Sequence, residues 1–200
     1  MPKSIAITAP CREALSACFV ATTCLVRPEL RRQLVLVGGA ASISTGDVDV
    51  AAPSEAIIDI WKGVEDGALQ FSFESDGQMA FDAPQGFRLK LDILEIGARP
   101  VERIHVAEPL YDGSVASASD LLLLRAVTVV DRGSNGDILD FEWLLSEVVS
   151  IGLLPQIDEE ELGWLVKAVE SCLGTVGRLV VAALLSDENA AAAVQLSCMN

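Results

Sequence analysis

The sequence predicts an α+β fold with a helical C-terminal half. Residues 34–96 hold short apolar or alternating runs separated by glycine, proline and aspartate, which is typical of strands and turns. From Ser119 onward the apolar residues recur at helical spacing instead. Because strands fill the first half and helices the second, we expect a strand-rich part at 1–115 and a helical part at 116–200 packed on it.

The N-terminal elements are predicted as a helix and two strands. Residues 11–32 carry apolar side chains at loosely helical spacing, and Pro28 divides them into a helix, a turn and a short helix. The run LVLV at 34–37 suits a buried central strand, and two glycines follow it. The next segment, DVDVA at 47–51, alternates strictly, so its two aspartates face away from its valines.

One helix and three further strands complete the first half. The helix begins near Pro53, because proline is favoured in the first turn. Alternation then predicts strands at 69–75, 78–83 and 86–96, with an Asp-Gly pair marking a hairpin between the first two. In the third strand, Asp92 lies opposite the apolar face.

The second half predicts four helices. Trp143 and Trp164 lie on the apolar stripes of two of these helices, and Trp61 lies on the apolar stripe of the helix that begins near Pro53. We therefore expect all three indoles in the core. The four helices are predicted at 119–133, 136–152, 158–174 and 177–196.

The composition bears on partners and location. A formal net charge of -15 repels phosphate backbones, so we do not expect nucleic acid as a partner. Arg27, Arg31 and Arg32 form a candidate basic patch, and at that patch binding of nucleic acid stays an open alternative.

The five cysteines have no close spacing, which is typical of free thiols in a reducing compartment. The apolar run at 14–26 is too short to cross a membrane, so we expect a cytoplasmic protein without a membrane partner.

Asp47 and Asp49 are the first candidates for chemistry. At positions i and i+2 of a strand, two carboxylates point the same way and can share hard cations such as Mg²⁺, which prefer oxygen ligands. Paired divalent ions stabilise both the attacking and the leaving oxygen of a displacement at phosphorus. A third carboxylate from a neighbouring strand would complete the site, and Asp92 is the candidate. Such acidic pairs also occur on solvated strand faces, where they hold no metal.

Three segments in this order resemble the nucleotidyltransferase superfamily: LVLVGGAAS, TGDVDVA and FRLKLDILEI. The signature of that superfamily is an apolar strand, GG or GS, and then a carboxylate pair on the next strand. The later segment DLLLLRAVTVVDRGSNGDILDFEWLL resembles the branch that includes abortive-infection toxin nucleotidyltransferases and uncharacterised fungal and bacterial relatives. The resemblance covers residues 34–145 and implies a nucleotidyltransferase-like mixed β-sheet with flanking helices.

The resemblance also implies a function. The enzyme would move a nucleotidyl group from a nucleoside triphosphate to a hydroxyl of a protein or small molecule. Asp47, Asp49 and Asp92 would hold Mg²⁺ as the catalytic residues, and Asp92 would also be the base on the acceptor hydroxyl. The residues implied to bind the nucleotide are Gly38, Gly39, Ser42 and Arg125.

Two departures from the family pattern leave an alternative open. Only seven residues separate Gly39 from Asp47, where the family has a helix of two or more turns, and Gly136 replaces the usual basic residue before the helical aspartate. The alternative is a catalytically degenerate fold that serves as a binding or regulatory module, or one reused for chemistry on a small metabolite. For Arg125, a solvent-facing charge on an amphipathic helix is an equally good interpretation.

Overall fold

The fold contains both a mixed sheet and a helical half. The computed structural model describes residues 8–38, 47–151, 157–174 and 178. The chain divides into two compact units, unit 1 up to Ala116 and unit 2 after it. Unit 1 holds a seven-stranded mixed sheet with flanking helices, and unit 2 is helical where it is described, so the predicted fold class is confirmed. Gly39 and Ser42 lie outside the described residues, as does the helix predicted at 177–196 apart from Arg178.

Unit 1 begins with helix α1 (Ala9–Leu25), which is followed by a 3-10 segment (Pro28–Gln33). Pro28 starts the second segment, as predicted, because its missing N–H and its ring would interrupt a continuous helix. The remaining described elements are β1 (Val35–Val37), β2 (Asp47–Ala52), α2 (Ser54–Glu65), β3 (Phe71–Phe73), β4 (Met79–Asp82), β5 (Arg88–Glu95), β6 (Ala107–Leu110) and β7 (Gly113–Ala116).

The seven strands pair in the order β3, β4, β5, β2, β1, β7, β6. Strand β1 is antiparallel to β2 and parallel to β7, and β2 is parallel to β5. The two strands that carry the predicted carboxylates, β2 and β5, are therefore neighbours near the middle of the sheet. Strands β6 and β7 form a hairpin that the sequence pattern did not predict.

The core of unit 1 lies between one face of the sheet and helices α1 and α2. Val48 and Val50 of β2 and Leu91 of β5 are buried in it, together with Phe19 of α1 and Ile60 of α2. Successive strand residues point to opposite faces. Burial of the two valines therefore turns the aspartates of β2 toward the other face of the sheet.

Two of the three tryptophans predicted to be in the core are exposed. Trp61 is 41% exposed and Trp143 is 45% exposed. Trp61 stacks on Phe73 of the edge strand β3, with ring centroids 5.1 Å apart. Trp164 is half-buried, and the ammonium of Lys167 lies 4.9 Å from the centroid of its ring. The prediction was wrong for Trp61 and Trp143 because helical spacing identifies an apolar stripe but not its margins, where a large ring keeps one side in solvent.

The three arginines of the basic patch are engaged within unit 1. Nitrogens Nε and Nη2 of Arg27 lie 2.7 and 2.9 Å from the carboxylate oxygens of Asp59. This hydrogen bonding lowers the pKa of Asp59 below its ordinary value. The partners are Asp59 for Arg27, Asp112 for Arg31 and the backbone carbonyl of Gly113 for Arg32. These contacts occupy N–H donors of the arginines that would otherwise bind a phosphate backbone. The expectation that nucleic acid is not a partner stays a prediction.

The described part of unit 2 consists of the helices α3 (Ala118–Arg132), α4 (Asn135–Ile151) and α5 (Glu159–Cys172). The hydroxyl of Ser117 caps α3 by accepting a backbone N–H, and Gly133 ends it with a φ of 57°. Asp158 and Glu161 form a capping box at the start of α5. Helix α3 packs against both α4 and α5. Among the described residues of the chain, none of the helices combines the length and the apolar character needed to cross a membrane.

A network of ion pairs centres on Asp137 in α4. Its carboxylate lies 3.0 Å from Nη1 of Arg125 and 3.4 Å from Nη2 of Arg132, and it accepts a hydrogen bond from the Ser134 hydroxyl at 2.6 Å. Nη2 of Arg125 also lies 3.2 Å from a carboxylate oxygen of Asp140. Burial raises the pKa of Asp137, but Ser134 and the two arginines outweigh burial, so the pKa lies below the ordinary value of 3.8.

We expect the contribution of Asp137 to stability to depend on pH. A carboxyl group whose pKa is lower in the folded chain than in the unfolded chain stabilises the fold above the unfolded pKa, and this stabilisation is lost as the pH falls through the folded pKa. The difference in free energy of unfolding between the native protein and Asp137→Asn should therefore be constant above about pH 5 and shrink below about pH 4. Urea denaturation at several pH values measures it. A difference that stays unchanged down to about pH 2 contradicts the expectation.

Candidate active site

The register of β2 and β5 places the three predicted carboxylates on one face of the sheet. Asp49 lies directly opposite Asp92 in the parallel pairing, and Asp47 lies opposite Lys90. Paired residues on neighbouring strands are about 4.8 Å apart, and residues i and i+2 of one strand are about 6.6 Å apart. These four residues therefore occupy the corners of one small area, which we call the carboxylate patch.

Burial changes across the carboxylate patch. Asp47 and Lys90 are exposed, whereas Asp49 and Asp92 are half-buried. A ligand that approaches from solvent therefore meets the outer pair first. The inner pair offers two carboxylates that are partly shielded from water, which strengthens their attraction for a cation.

Gly38 lies against the carboxylate of Asp49. Strand β1 ends at Val37, which pairs with Asp49, and Gly38 follows with a φ of +69°. A Cβ atom at Gly38 would lie 1.9 Å from Oδ2 of Asp49 and 2.9 Å from its Cβ. Both the backbone conformation and the available space therefore require glycine at this position. A glycine predicted to lie at the nucleotide thus adjoins one of the predicted carboxylates.

The carboxylate patch suits a hard divalent cation in its donor chemistry, because carboxylate oxygens are ligands that Mg²⁺ prefers. The absence of a side chain at Gly38 leaves room for the Asp49 carboxylate itself, which packs against the glycine. Within residues 8–38, 47–151, 157–174 and 178, no three acidic, histidine or cysteine side chains are close enough together to hold a metal ion. The patch therefore fits a metal site in donor type and backbone register, while the side chains are not gathered around one point.

The other residues predicted to bind the nucleotide belong to unit 2 or to a segment outside the described part of the chain. Arg125 belongs to α3 of unit 2, where its side chain is 14% exposed and pairs with Asp137 and Asp140. These contacts give it a structural part in unit 2. Gly39 and Ser42 belong to residues 39–46, which are outside the described part of the chain.

Two further groups with reactive side chains lie apart from the predicted carboxylates in sequence. His105 lies in the loop before β6. Cys18 is buried in α1, and this burial raises the pKa of its thiol to about 12. A thiol with that pKa stays protonated at neutral pH and is a poor nucleophile. Cys18 therefore fits a structural role.

Sequence reasoning did not single out Lys90. The alternation of RLKLDIL already places Lys90 and Asp92 on one face of their strand. The pairing that sets Lys90 opposite Asp47 depends on the register between two strands that are far apart in sequence. The sequence therefore places Lys90 on the same strand face as Asp92, but it does not place Lys90 beside Asp47.

Comparison with solved structures finds a protein of similar fold. The antigenic nucleotidyltransferase-like protein from Paracoccidioides brasiliensis is 14% identical, with a TM-score of 0.55 over 82% of this chain and 88% of that chain. A candidate nucleotidyltransferase from H. pylori is 13% identical over 92% of each chain, but its TM-score of 0.35 is too low to support an argument. No protein-family model and no curated protein matches the chain. At this identity the first comparison concerns the fold alone, and the chain has a fold similar to that of a nucleotidyltransferase-like protein.

Proposed function

We propose that this protein transfers a nucleotidyl group from a nucleoside triphosphate to a hydroxyl of a protein or small molecule, with pyrophosphate as the leaving group. The observation that carries the proposal is the register that sets Asp49 opposite Asp92, with Asp47 on the same face. The fold similarity to a nucleotidyltransferase-like protein supports it. A cytoplasmic location, proposed from the cysteine spacing, would give access to nucleoside triphosphates and Mg²⁺.

Asp47, Asp49 and Asp92 are the residues that would hold Mg²⁺. When bound there, the ion neutralises charge on the phosphates of the substrate. Gly38 has no side chain and so leaves room for the Asp49 carboxylate to hold its position. Asp92, half-buried beside Asp49, would accept the proton of the acceptor hydroxyl. Backbone N–H groups of the glycine pair and of the segment with Ser42 would donate to the phosphates.

A second candidate function is a catalytically degenerate module that binds a nucleotide or small metabolite without transferring it. The observation in its favour is that no three potential metal ligands are gathered together in the described part of the chain. The short connection of seven residues between Gly39 and Asp47 agrees with this alternative. The two candidates differ in whether nucleotide binding requires a divalent cation.

Calorimetric titration with a panel of nucleoside triphosphates, with Mg²⁺ and with EDTA, separates the two candidates. For the transferase we expect binding that requires Mg²⁺ and is weakened at least about 100-fold in Asp47→Asn/Asp49→Asn, since lost metal ligands cost at least as much as lost partners of ligands. The control is Glu65→Gln/Asp66→Asn, which removes the same charge from two exposed residues at the end of α2.

The dependence of binding on Mg²⁺ and on the two aspartates distinguishes the candidates. Binding that survives EDTA and both double substitutions supports the degenerate module. If the folded native protein binds none of the triphosphates, the transferase proposal is wrong.

A further inference from the structure

Large apolar side chains are exposed beside the edge strand β3. Trp61 of α2 is 41% exposed and stacks on Phe73 of β3, which is 37% exposed. Ile58 lies one turn earlier on the same side of α2 and is 49% exposed. Leu69, in the turn that leads into β3, is 88% exposed. Apolar side chains gathered in this way on a folded chain mark a surface that contacts another molecule.

The backbone of β3 has hydrogen-bonding groups that point to the edge of the sheet. Strand β3 pairs with β4 on one side, and none of the described strands lies on its other side. The N–H group of Glu74 donates to the carbonyl of Gln78 at 2.7 Å, so Glu74 faces β4. Because this direction alternates along an antiparallel strand, the N–H and C=O groups of Phe73 and the C=O group of Phe71 point away from β4. These groups are suited to pair with an added strand.

The two faces of the sheet differ in chemistry at this edge. The stacked rings make one face apolar. On the other face, the carboxylates of Glu74 and Asp82 share the guanidinium of Arg88, at 2.7 and 2.6 Å. Two carboxylates and one guanidinium leave one negative charge there, and Asp76, exposed in the turn after β3, adds another beside the strand. Since successive residues of a strand point to opposite faces, a strand that suits β3 alternates apolar with basic side chains.

We propose that the edge of β3 binds an extended segment of a partner protein in which apolar residues alternate with lysine or arginine. The segment pairs with the backbone of Phe73 and packs its apolar side chains against Trp61 and Phe73, while its basic side chains face the carboxylates on the other side of the sheet. A second copy of this chain suits the edge less well. Pairing of two β3 strands would bring two acidic faces together, and each copy has a formal net charge of -15.

The test adds a short peptide with blocked ends, in which lysine and valine alternate, to the full chain. We expect saturable binding and slower hydrogen exchange of the Phe73 N–H, measured by NMR, because that group then pairs with the peptide. A peptide of the same composition with all its lysines before its valines should bind at least about tenfold more weakly, since it has the same charge but lacks the alternation. Trp61→Ala should weaken binding of the alternating peptide about tenfold, as for a central aromatic contact.

Trp143→Ala is the matched control, because it removes an indole of similar exposure, 45%, from α4 of unit 2. It should bind the alternating peptide as the native protein does, and thermal unfolding checks that both variants are folded. Equal binding of the two peptides, or unchanged exchange at Phe73 in the complex, would show that charge alone attracts the peptide and would overturn the proposal. Failure of the folded native protein to bind the peptide also overturns it.

Sedimentation of the protein without peptide tests the other occupant of this edge. We expect the native protein and Trp61→Ala to sediment alike. A native dimer that Trp61→Ala dissociates would assign the edge of β3 to a second copy of the chain, and the proposal of a basic partner segment would then be wrong.

Discussion

Replacing Gly38 with alanine should weaken Mg²⁺-dependent nucleotide binding by about 10- to 100-fold, the range seen when a metal ligand loses the contact that orients it. The new methyl group would lie 1.9 Å from Oδ2 of Asp49, so the carboxylate has to swing away. Rotation of the aspartate side chain relieves the contact with Oδ2, and a small backbone shift relieves the 2.9 Å contact with its Cβ. The fold should therefore survive, with a cost of about 1–2 kcal/mol for an L residue at positive φ. Calorimetry of nucleotide binding, with thermal unfolding recorded in parallel, measures both effects.

Gly77→Ala is the matched control for Gly38→Ala. Gly77 also has a positive φ, of +85°, but a Cβ atom there would have no neighbour within 4 Å. It should carry the same backbone cost and leave nucleotide binding intact. Equal binding by the native protein and Gly38→Ala would show that the orientation of Asp49 does not matter to the site.

Arg125→Ala should lower the free energy of unfolding by about 2–3 kcal/mol, somewhat less than the loss of one partner from a fully buried pair. The side chains of Arg125 and Asp137 are only 14% and 9% exposed, so the substitution leaves a largely buried carboxylate short of a partner. Arg132 remains beside it and moderates the cost. Urea denaturation of the native protein and the variant at neutral pH gives the difference.

Arg132→Ala is the control for Arg125→Ala, because Arg132 contacts the same carboxylate from a side chain that is 65% exposed. Its loss should cost less than about 1 kcal/mol, as for a surface ion pair. If Arg125→Ala instead lost nucleotide binding with no change in stability, the result would contradict the structural role and support the role at the nucleotide phosphates that the family resemblance implies.

The strands that were predicted correctly are those with strong local patterns. LVLV and DVDVA became β1 and β2 because one is continuously apolar and the other alternates, and both patterns survive in the burial of the structure. The hairpin at Asp76 and Gly77 was also predicted, and β3 and β4 pair on either side of it. A turn with a residue at positive φ leaves a clear signal in the sequence.

The hairpin of β6 and β7 was missed for equally local reasons. The segment AEPL has a proline and an exposed face, and GSVA is four residues long and built from small side chains. Neither shows the alternation that identifies a strand. The proline is tolerated because β6 is at the edge of the sheet, where a missing N–H does not interrupt a ladder.

The candidate site was predictable only up to the point where strands must be aligned. The sequence identifies Asp47, Asp49 and Asp92 as carboxylates on the polar faces of two strands. Their pairing joins positions 43 residues apart, as in Asp49 with Asp92, and nothing local fixes that register. For the same reason the contact of Gly38 with Asp49 and the place of Lys90 could not be derived from the pattern alone.

The parallel pairing of β1 with β7 bears on how the chain folds as it is synthesised. Arg32 donates to the carbonyl of Gly113, and 81 residues separate the two. At a synthesis rate of roughly 5–20 residues per second, roughly 4–16 s pass between the synthesis of β1 and the synthesis of β7. During that time one edge of a buried strand has unpaired N–H and C=O groups and can pair with another chain. We therefore expect nascent chains stopped before Gly113 to aggregate, and the arrival of β7 to be the step that protects the growing sheet.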